Sequence, residues 1–154
     1  MRIHILAVGG LKAPALDGLV DHYLQRARAT GRGIGLRDVR QVEVASGGGS
    51  DAEADRLVAK CPRGALCVLM DEHGESLTST TLADWIGGLR DAGTGDLCFL
   101  IGGAAGHGAA ARQAARRVLA FGAQTWPHRL VRVMLAEQVY RATSLLAGTP
   151  YHRA

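Results

Sequence analysis

The chain has 154 residues, of which 47% are hydrophobic and 21% are charged. This length and composition suit one compact α/β domain spanning residues 1–154, with no room for a second domain. No uncharged stretch is long enough to cross a membrane, and the N-terminal segment lacks the basic region and cleavage pattern of a signal peptide. We therefore expect a cytoplasmic protein without a membrane segment.

The apolar runs and the helical patterns alternate along the chain. The strand-like runs occupy residues 2–8, 39–45, 65–71, 96–102 and 118–124. The helical patterns occupy residues 16–27, 50–61, 82–89 and 109–117. Strands that are mostly apolar and are separated by helices predict a parallel sheet with helices on both faces. The segment "SGGGS" at residues 46–50 predicts a flexible loop.

The last predicted helix, residues 128–147, follows Pro127 and is apolar around nearly its whole circumference. Such a helix must be covered on two sides. A five-stranded domain of this size is expected to cover only one of them. A second copy of the chain is the natural cover for the other side, so the pattern predicts a homodimer.

The three cysteines, Cys61, Cys67 and Cys98, form no Cys-x-x-Cys pair. Two of them lie inside apolar, strand-like runs. They are predicted to be buried and inert thiols. None of the histidines is arranged as a metal ligand, so no metal site is expected.

The net charge of +4 is unevenly distributed. Sixteen of the 18 basic residues are arginines, and from residue 97 onward seven arginines are balanced by a single acid, Glu137. The guanidinium group binds phosphate oxygens through two hydrogen bonds, so this surplus favours contact with a nucleic acid. A simply solvated basic surface is the alternative.

A cluster of glycines, Gly102, Gly103, Gly106 and Gly108, follows the fourth apolar run. Ligands of parallel sheets bind beyond the carboxyl ends of the strands, so these glycines predict a loop that admits a ligand close to the backbone. Ordinary turn formation is the alternative. The spacing is not G-x-G-x-x-G, and no Gly-Lys-Ser/Thr is present, which argues against a dinucleotide fold and against a Walker A loop. His107, inside this loop, is expected to be solvated.

The C-terminal third carries the most specific pattern of the chain. It reads "WPHRLVRVMLAEQVYRATSLLAGTPYHRA" over residues 126–154 and follows "LIGG" at residues 100–103. Together with "AVG" near the start, this pattern strongly resembles the RlmH family, SPOUT-class enzymes that methylate a pseudouridine in bacterial 23S ribosomal RNA. The resemblance implies a homodimer, S-adenosylmethionine as methyl donor, the assembled 70S ribosome as substrate, and a trefoil knot in the C-terminal half.

The resemblance also implies where the cofactor binds. An adenine needs apolar walls and backbone donors and acceptors, which small residues leave accessible. The implied contacts are Met70, Gly102, Gly103, Phe121, Gly122, Ala123, Gln124, Thr125 and Trp126. The family usually has Pro and an acidic residue where this chain has Ala104 and Ala105.

Methylation of N3 of pseudouridine requires removal of an imide proton, so a base is expected near the target. The candidates for this catalytic role are His128, His152 and Glu137. His128 is favoured because it begins the last helix beside the cofactor segment. Capping of the helix start is its alternative role. Glu137 is better explained as the i, i+4 partner of Arg141, or as a buried ion-pair acceptor at the dimer interface.

The RNA is expected to contact arginines of the last helix and the tail. Tyr151 is suited to stacking on an extruded base, and the arginines to binding the flanking phosphates. The candidates are Arg129, Arg132, Arg141, Tyr151 and Arg153. Two other functions stay open, namely a SPOUT enzyme that acts on transfer RNA and a non-enzymatic, flavodoxin-like nucleotide-binding dimer.

Overall fold

The computed structural model describes residues 1–151. Its strands and helices alternate as the sequence predicts. In chain order they are β1 (Arg2–Val8), α1 (Pro14–Gly31), a short 3-10 turn (Arg32–Ile34), β2 (Asp38–Val44), α2 (Gly49–Lys60), β3 (Leu66–Ser76), α3 (Ser79–Asp91), β4 (Asp96–Ile101), α4 (Ala109–Ala114), β5 (Ala115–Ala120) and α5 (His128–Leu146).

The five strands form one parallel sheet in the order β2-β1-β4-β3-β5, which confirms the predicted fold class. Alternate side chains of the central strands enter two separate cores. Leu97, Phe99 and Ile101 of β4 pack on the face covered by α1, α3 and α5, while Cys98 and Leu100 pack on the face covered by α2 and α4. All six residues of β4 are buried, as expected for a strand that is covered on both faces.

The strand predicted at residues 118–124 is displaced, because β5 spans Ala115–Ala120. The helix predicted at residues 109–117 correspondingly ends at Ala114. Ala115 and Arg117 pair instead with Cys67 and Val68 of β3. Tertiary pairing thus overrides the helix preference of this alanine-rich segment. The rest of the predicted strand, residues 121–124, forms a loop beside the ends of the strands.

The segment predicted as a flexible loop, residues 46–50, partly enters a helix, because Gly49 and Ser50 begin α2. The rest of it is held by side chains from α2. The Gly47 amide donates to a carboxylate oxygen of Glu53 at 2.7 Å, and Arg56 donates to the Ala45 carbonyl at 3.0 Å. The loop is therefore tied down by hydrogen bonds.

The helix α5 lies between α1 and α3 and packs against both. Val133 and Met134 of α5 are only half-buried within the single chain, so cover by a second copy stays a prediction. Of its large apolar side chains, Leu130 is the one that is exposed, at 38%. The trefoil knot likewise stays a prediction.

The cysteines are closer together in space than their spacing indicates. Cys67 and Cys98 are buried, as predicted, whereas Cys61 is only half-buried. Cys67 of β3 is paired in register with Cys98 of β4, and its sulfur lies 3.6 Å from that of Cys61. Three thiols therefore meet between the end of α2 and the sheet.

Candidate functional site

A cavity of about 410 Å³ opens at the carboxyl ends of β3, β4 and β5, where ligands of parallel sheets bind. Its inner wall is apolar and comes from Met70, Ile101, Leu119, Phe121 and Val131. Of the nine residues expected to contact the cofactor, seven line it: Met70, Gly102, Gly103, Phe121, Gln124, Thr125 and Trp126. Gly122 and Ala123 lie in the same segment but do not line the cavity.

The glycine loop is shaped by close contacts within the chain. A Cβ atom on Gly102 would lie 2.6 Å from the Gly106 carbonyl oxygen, and one on Gly108 would lie 2.5 Å from the Ser50 carbonyl oxygen. Gly106 has a φ of +76° and its amide donates to the Gly103 carbonyl at 3.0 Å. The glycines are thus required by neighbouring backbone, whether or not a ligand is present.

A buried carboxylate, that of Glu53, lies against this glycine loop. Glu53 of α2 is 7% exposed, and a Cβ atom on Gly103 would lie 2.7 Å from its Oε2 atom. Oε2 has no hydrogen-bond partner among the described residues, while Oε1 accepts from Gly47. Gly103 therefore leaves room for a buried carboxylate that the sequence did not reveal as part of the site.

The segment between β5 and α5 is fixed by two side-chain hydrogen bonds. The indole nitrogen of Trp126 donates to the Phe121 carbonyl at 3.0 Å, which closes the segment on itself. The Thr125 hydroxyl donates to the carboxylate of Glu72, just beyond the buried part of β3. These contacts bring the two walls of the cavity together.

His107 is not solvated, contrary to the prediction. Its Nε2 atom donates to the Met70 carbonyl at 2.8 Å, and its Nδ1 atom is buried without a partner among the described residues. Burial lowers the pKa of His107, so the imidazole is neutral at neutral pH and Nδ1 is an acceptor. It lines the cavity directly after a turn in which Gly103 and Gly106 pair with each other.

Asp71 forms the polar rim of the cavity. It accepts hydrogen bonds from His73 and pairs with Arg112 at 3.1 Å. Burial raises the pKa of Asp71, but the His73 hydrogen bonds and the Arg112 charge outweigh it and lower the pKa overall. The carboxylate is thus ionised. These groups were missed, although the polar run Asp71, Glu72 and His73 directly after an apolar strand was a visible signal.

His128 lines the cavity at the start of α5. Burial lowers the pKa of its imidazole, and the positive charges of Arg129 and Arg132 lower it further. A neutral imidazole is able to accept a proton. Pro127 occupies the N-cap position and His128 is the first residue of α5, so the capping role is not the one that the structure gives His128.

Glu137, another candidate base, does not reach the cavity. Its Oε1 atom accepts from Arg141 at 2.5 Å and from the Tyr151 hydroxyl at 3.0 Å. This confirms the expected i, i+4 pair with Arg141. The Arg141 guanidinium also lies 4.8 Å from the centre of the Tyr151 ring. The centres of the Tyr140 and Tyr151 rings are 4.3 Å apart. Burial and the hydrogen bond to Glu137 raise the pKa of Tyr151 to about 12.

Arg132 corrects the predicted set of RNA contacts. Its side chain is fully buried and pairs with Glu43 at 2.5 Å. It also donates to the carbonyls of Val8 and Gly9, at 3.3 and 2.7 Å. A guanidinium without access to solvent does not reach a phosphate. The contacts of Arg132 instead join α5 to the ends of β1 and β2. His152 and Arg153 lie outside the described residues, whereas Arg129 is half-buried at the start of α5.

Within residues 1–151 no group of three or more His, Cys, Asp and Glu side chains is arranged to hold a metal ion. No helix of the described part is long and apolar enough to cross a membrane. The cavity itself offers apolar walls, backbone groups, an ionised carboxylate rim and two neutral imidazoles.

A cavity at the carboxyl edge of a parallel α/β sheet is typical of the class of proteins that bind a nucleotide or a nucleotide-like cofactor. Comparison with known proteins narrows the class. Residues 1–152 match the family model described as "Predicted SPOUT methyltransferase". The chain therefore belongs to the SPOUT methyltransferase family, and the resemblance seen in the sequence is confirmed.

Relatives of known name cover the chain along its whole length. It is 55% identical to "Ribosomal RNA large subunit methyltransferase H" of Hyphomonas neptunium, over 100% of both chains. It is 52% identical to the protein of the same name from Dinoroseobacter shibae, over 99% of both chains, and 46% identical to that of Mesorhizobium japonicum, over 100% of both. The enzyme class expected from the sequence, a methyltransferase, is thereby confirmed.

Proposed function

We propose that the protein transfers a methyl group from S-adenosylmethionine to N3 of a pseudouridine in bacterial 23S ribosomal RNA. It acts in the cytoplasm, as a homodimer, on the assembled 70S ribosome. The observation that carries the proposal is the cavity at the ends of β3, β4 and β5, in a chain whose relatives are named for methylation of large-subunit ribosomal RNA.

The cavity fits the cofactor in size and chemistry. A volume of about 410 Å³ lies within the range of sites for small molecules. Met70, Ile101 and Leu119 offer apolar contact for an adenine, and the rim carboxylates of Asp71 and Glu72 suit the positive charge of a sulfonium and an amino group. When bound, S-adenosylmethionine supplies an electrophilic methyl group on a positively charged sulfur.

The protein's own task is to position the acceptor nitrogen and to remove its proton. His128 is the base in this proposal, because it lines the cavity and because burial lowers the pKa of its imidazole. His107 positions the wall by holding the Met70 carbonyl. Placing the nitrogen in line with the methyl carbon supplies much of the remaining acceleration.

The ribosomal RNA is bound by basic and aromatic residues near the start and the end of α5. Arg129 lies at the start of α5, and Arg141 and Tyr151 lie towards its other end. Arg153, which is outside the described residues, is the further basic residue of this proposal. Arg129 has no hydrogen-bond or ion-pair partner among residues 1–151, so its charge is available for a phosphate. Replacing it by Ala is expected to weaken RNA binding equally for all sequences and to reduce the slope of log affinity against log salt by about 1.

Labelled methyl transfer tests the substrate. The acceptors are ribosomes that lack the modification, free 23S RNA and bulk transfer RNA. We expect transfer to the ribosomes, with loss of the exchangeable N3 proton of the target base. Transfer to tRNA alone would instead support the alternative SPOUT activity and contradict the proposal.

Cofactor binding is tested separately from turnover by the fluorescence of Trp126, which lines the cavity. The only other tryptophan is Trp85. A Trp85→Phe variant leaves Trp126 as the sole reporter. We expect a saturable change in fluorescence on titration with S-adenosylmethionine. No change in fluorescence, together with no heat of binding in calorimetry, would favour a binding module for another ligand.

A further inference from the structure

The three thiols lie apart from the methyl-transfer cavity. Cys67 and Cys98 belong to the core between the sheet and the helices α2 and α4, and Cys61 packs against that core. None of the three lines the cavity. Whatever chemistry they perform is therefore separate from the proposed transfer of a methyl group.

A tight turn brings Cys61 and Cys67 together. The Ala65 amide donates to the Pro62 carbonyl at 3.0 Å, and Gly64 adopts a φ of +78°, so the chain reverses between the end of α2 and the start of β3. This places the two sulfur atoms 3.6 Å apart. A disulfide needs them at about 2.05 Å, a change that rotation about the side-chain bonds of Cys61 can supply at a loop end.

We propose that Cys61 and Cys67 are a redox-sensitive pair, which forms an intramolecular disulfide when the protein meets a hydroperoxide. Cys61 is the point of entry, because it is half-buried while Cys67 is 5% exposed and Cys98 is fully buried. This replaces the expectation of three inert thiols. Only the sulfur pair, its turn and the burial of each thiol carry the argument.

The reaction balances with hydrogen peroxide as the oxidant. The Cys61 thiol loses its proton and its sulfur attacks one peroxide oxygen, the O–O bond breaks, and a sulfenic acid and hydroxide result. The Cys67 thiolate then attacks the Cys61 sulfur, the S–O bond breaks, and a second hydroxide leaves. The two thiol protons neutralise the hydroxides, so two thiols lose two electrons and one peroxide becomes two waters.

The third thiol provides an internal control. Cys98 is paired in register with Cys67 on the neighbouring parallel strand, but it has no exposed surface through which an oxidant could arrive. A Cys98→Ala variant should therefore keep the disulfide. A Cys61→Ala variant should lose it, since the remaining thiols are buried.

Trypsin separates all three cysteines into different peptides. Cleavage after Lys60, Arg63, Arg90 and Arg112 releases residues 61–63, 64–90 and 91–112, each with one cysteine. The folded protein is treated with hydrogen peroxide, free thiols are alkylated in denaturant, and the digest is analysed by mass spectrometry. The expected product joins residues 61–63 to residues 64–90, with loss of two hydrogens, and dithiothreitol reverses it.

Two results would overturn the proposal. One is a folded protein whose Cys61 and Cys67 stay reduced, or stop at a sulfenic or sulfinic acid, at a peroxide concentration that oxidises a dithiol peptide of residues 58–70. The other is a product that joins residues 64–90 to residues 91–112. Because the first measurement uses the unmodified chain, it stands even if the variants do not fold.

Discussion

Arg132 of α5 and Glu43 of β2 form an ion pair of 2.5 Å across 89 positions of sequence. The guanidinium is fully buried, whereas 41% of the Glu43 side chain is exposed. Together with the carbonyls of Val8 and Gly9, this pair fixes the start of the last helix against the ends of two strands. His128 lies one helical turn before Arg132, so the same contact holds the candidate base in place.

Replacing Arg132 by Ala should therefore destabilise the fold. It removes the ion pair and leaves two strand-end carbonyls without their donor, at a cost of about 3 kcal/mol. Urea unfolding followed by circular dichroism measures the loss. Arg40→Ala is the matched control, because Arg40 is exposed in its pair with Asp38 and should cost less than about 1 kcal/mol. Equal losses in the two variants would refute the structural role.

Replacing His128 by Ala should lower kcat and leave the affinity for S-adenosylmethionine nearly unchanged. A positioned base contributes about 10²- to 10⁴-fold to such a reaction. Single-turnover methyl transfer to ribosomes gives the rate, and the Trp126 titration gives the affinity. His22→Ala is the control, since His22 is exposed on α1. Full transfer by the His128 variant would remove this residue from the mechanism.

Replacing Gly102 by Ala should weaken both the fold and cofactor binding. The new Cβ atom would lie 2.6 Å from the Gly106 carbonyl oxygen, and the displaced loop would cost about 1 to 3 kcal/mol. Gly88→Ala is the matched control, because nothing lies within 4 Å of its Cβ position in the exposed part of α3. That change should stabilise the protein by about 0.5 to 1 kcal/mol. The unfolding midpoints of the two variants should therefore move in opposite directions.

Asp96 should make the protein sensitive to acid. The hydrogen bond from Arg2, and then that from His4, lower its pKa from 3.8 to about 2 against the opposing effect of burial. Because the folded pKa is the lower one, its stabilisation is complete above about pH 4 and is lost as the pH falls towards 2. The difference of pKa corresponds to about 2 kcal/mol.

Unfolding free energies at pH 6 and near pH 2 check this expectation with an Asp96→Asn variant. The variant should lie about 2 kcal/mol below the parent at pH 6, and the gap should narrow in acid. Asp91→Asn is the control, since Asp91 pairs with Arg90 but is 68% exposed. A gap that stays constant with pH would contradict the assignment.

His107 should act on stability at milder pH. Burial lowers its pKa below 6.5, so on acidification the unfolded chain takes up a proton before the folded protein does. Stability is therefore expected to fall as the pH decreases below about 6.5. His107→Gln should make the unfolding free energy less dependent on pH between 7.5 and 5, with His22→Gln as control. An unchanged pH dependence would mean that His107 is not buried in its neutral form.

The apolar patterns predicted most of the fold, because burial on both faces leaves a clear signal. The strands β1 and β4 begin at the predicted residues, and α5 covers the predicted residues almost completely. β5 was misplaced because its first residues, Ala115 and Arg116, carry helix-forming side chains. Only the pairing with β3, which is distant in sequence, makes them a strand.

The resemblance also marked residues that line the cavity, but it did not mark the carboxylate rim, Asp71 and Glu72. Seven of the nine expected cofactor residues line it, since a family motif marks positions in the chain. His107 and Arg132 were misjudged for the same physical reason. A polar side chain looks solvated in sequence, and only tertiary contacts, with Met70 and with Glu43, show it to be buried.

The buried contact of Arg132 with the ends of β1 and β2 also bears on biosynthesis. The cavity wall includes Pro127, His128 and Val131, which are translated after all five strands of the sheet. A growing chain that has completed β1 to β4 still lacks this wall and the guanidinium that anchors it. The nascent protein therefore completes its cavity only after α5 has emerged and docked, so a translation product that stops before α5 lacks one wall of the cavity.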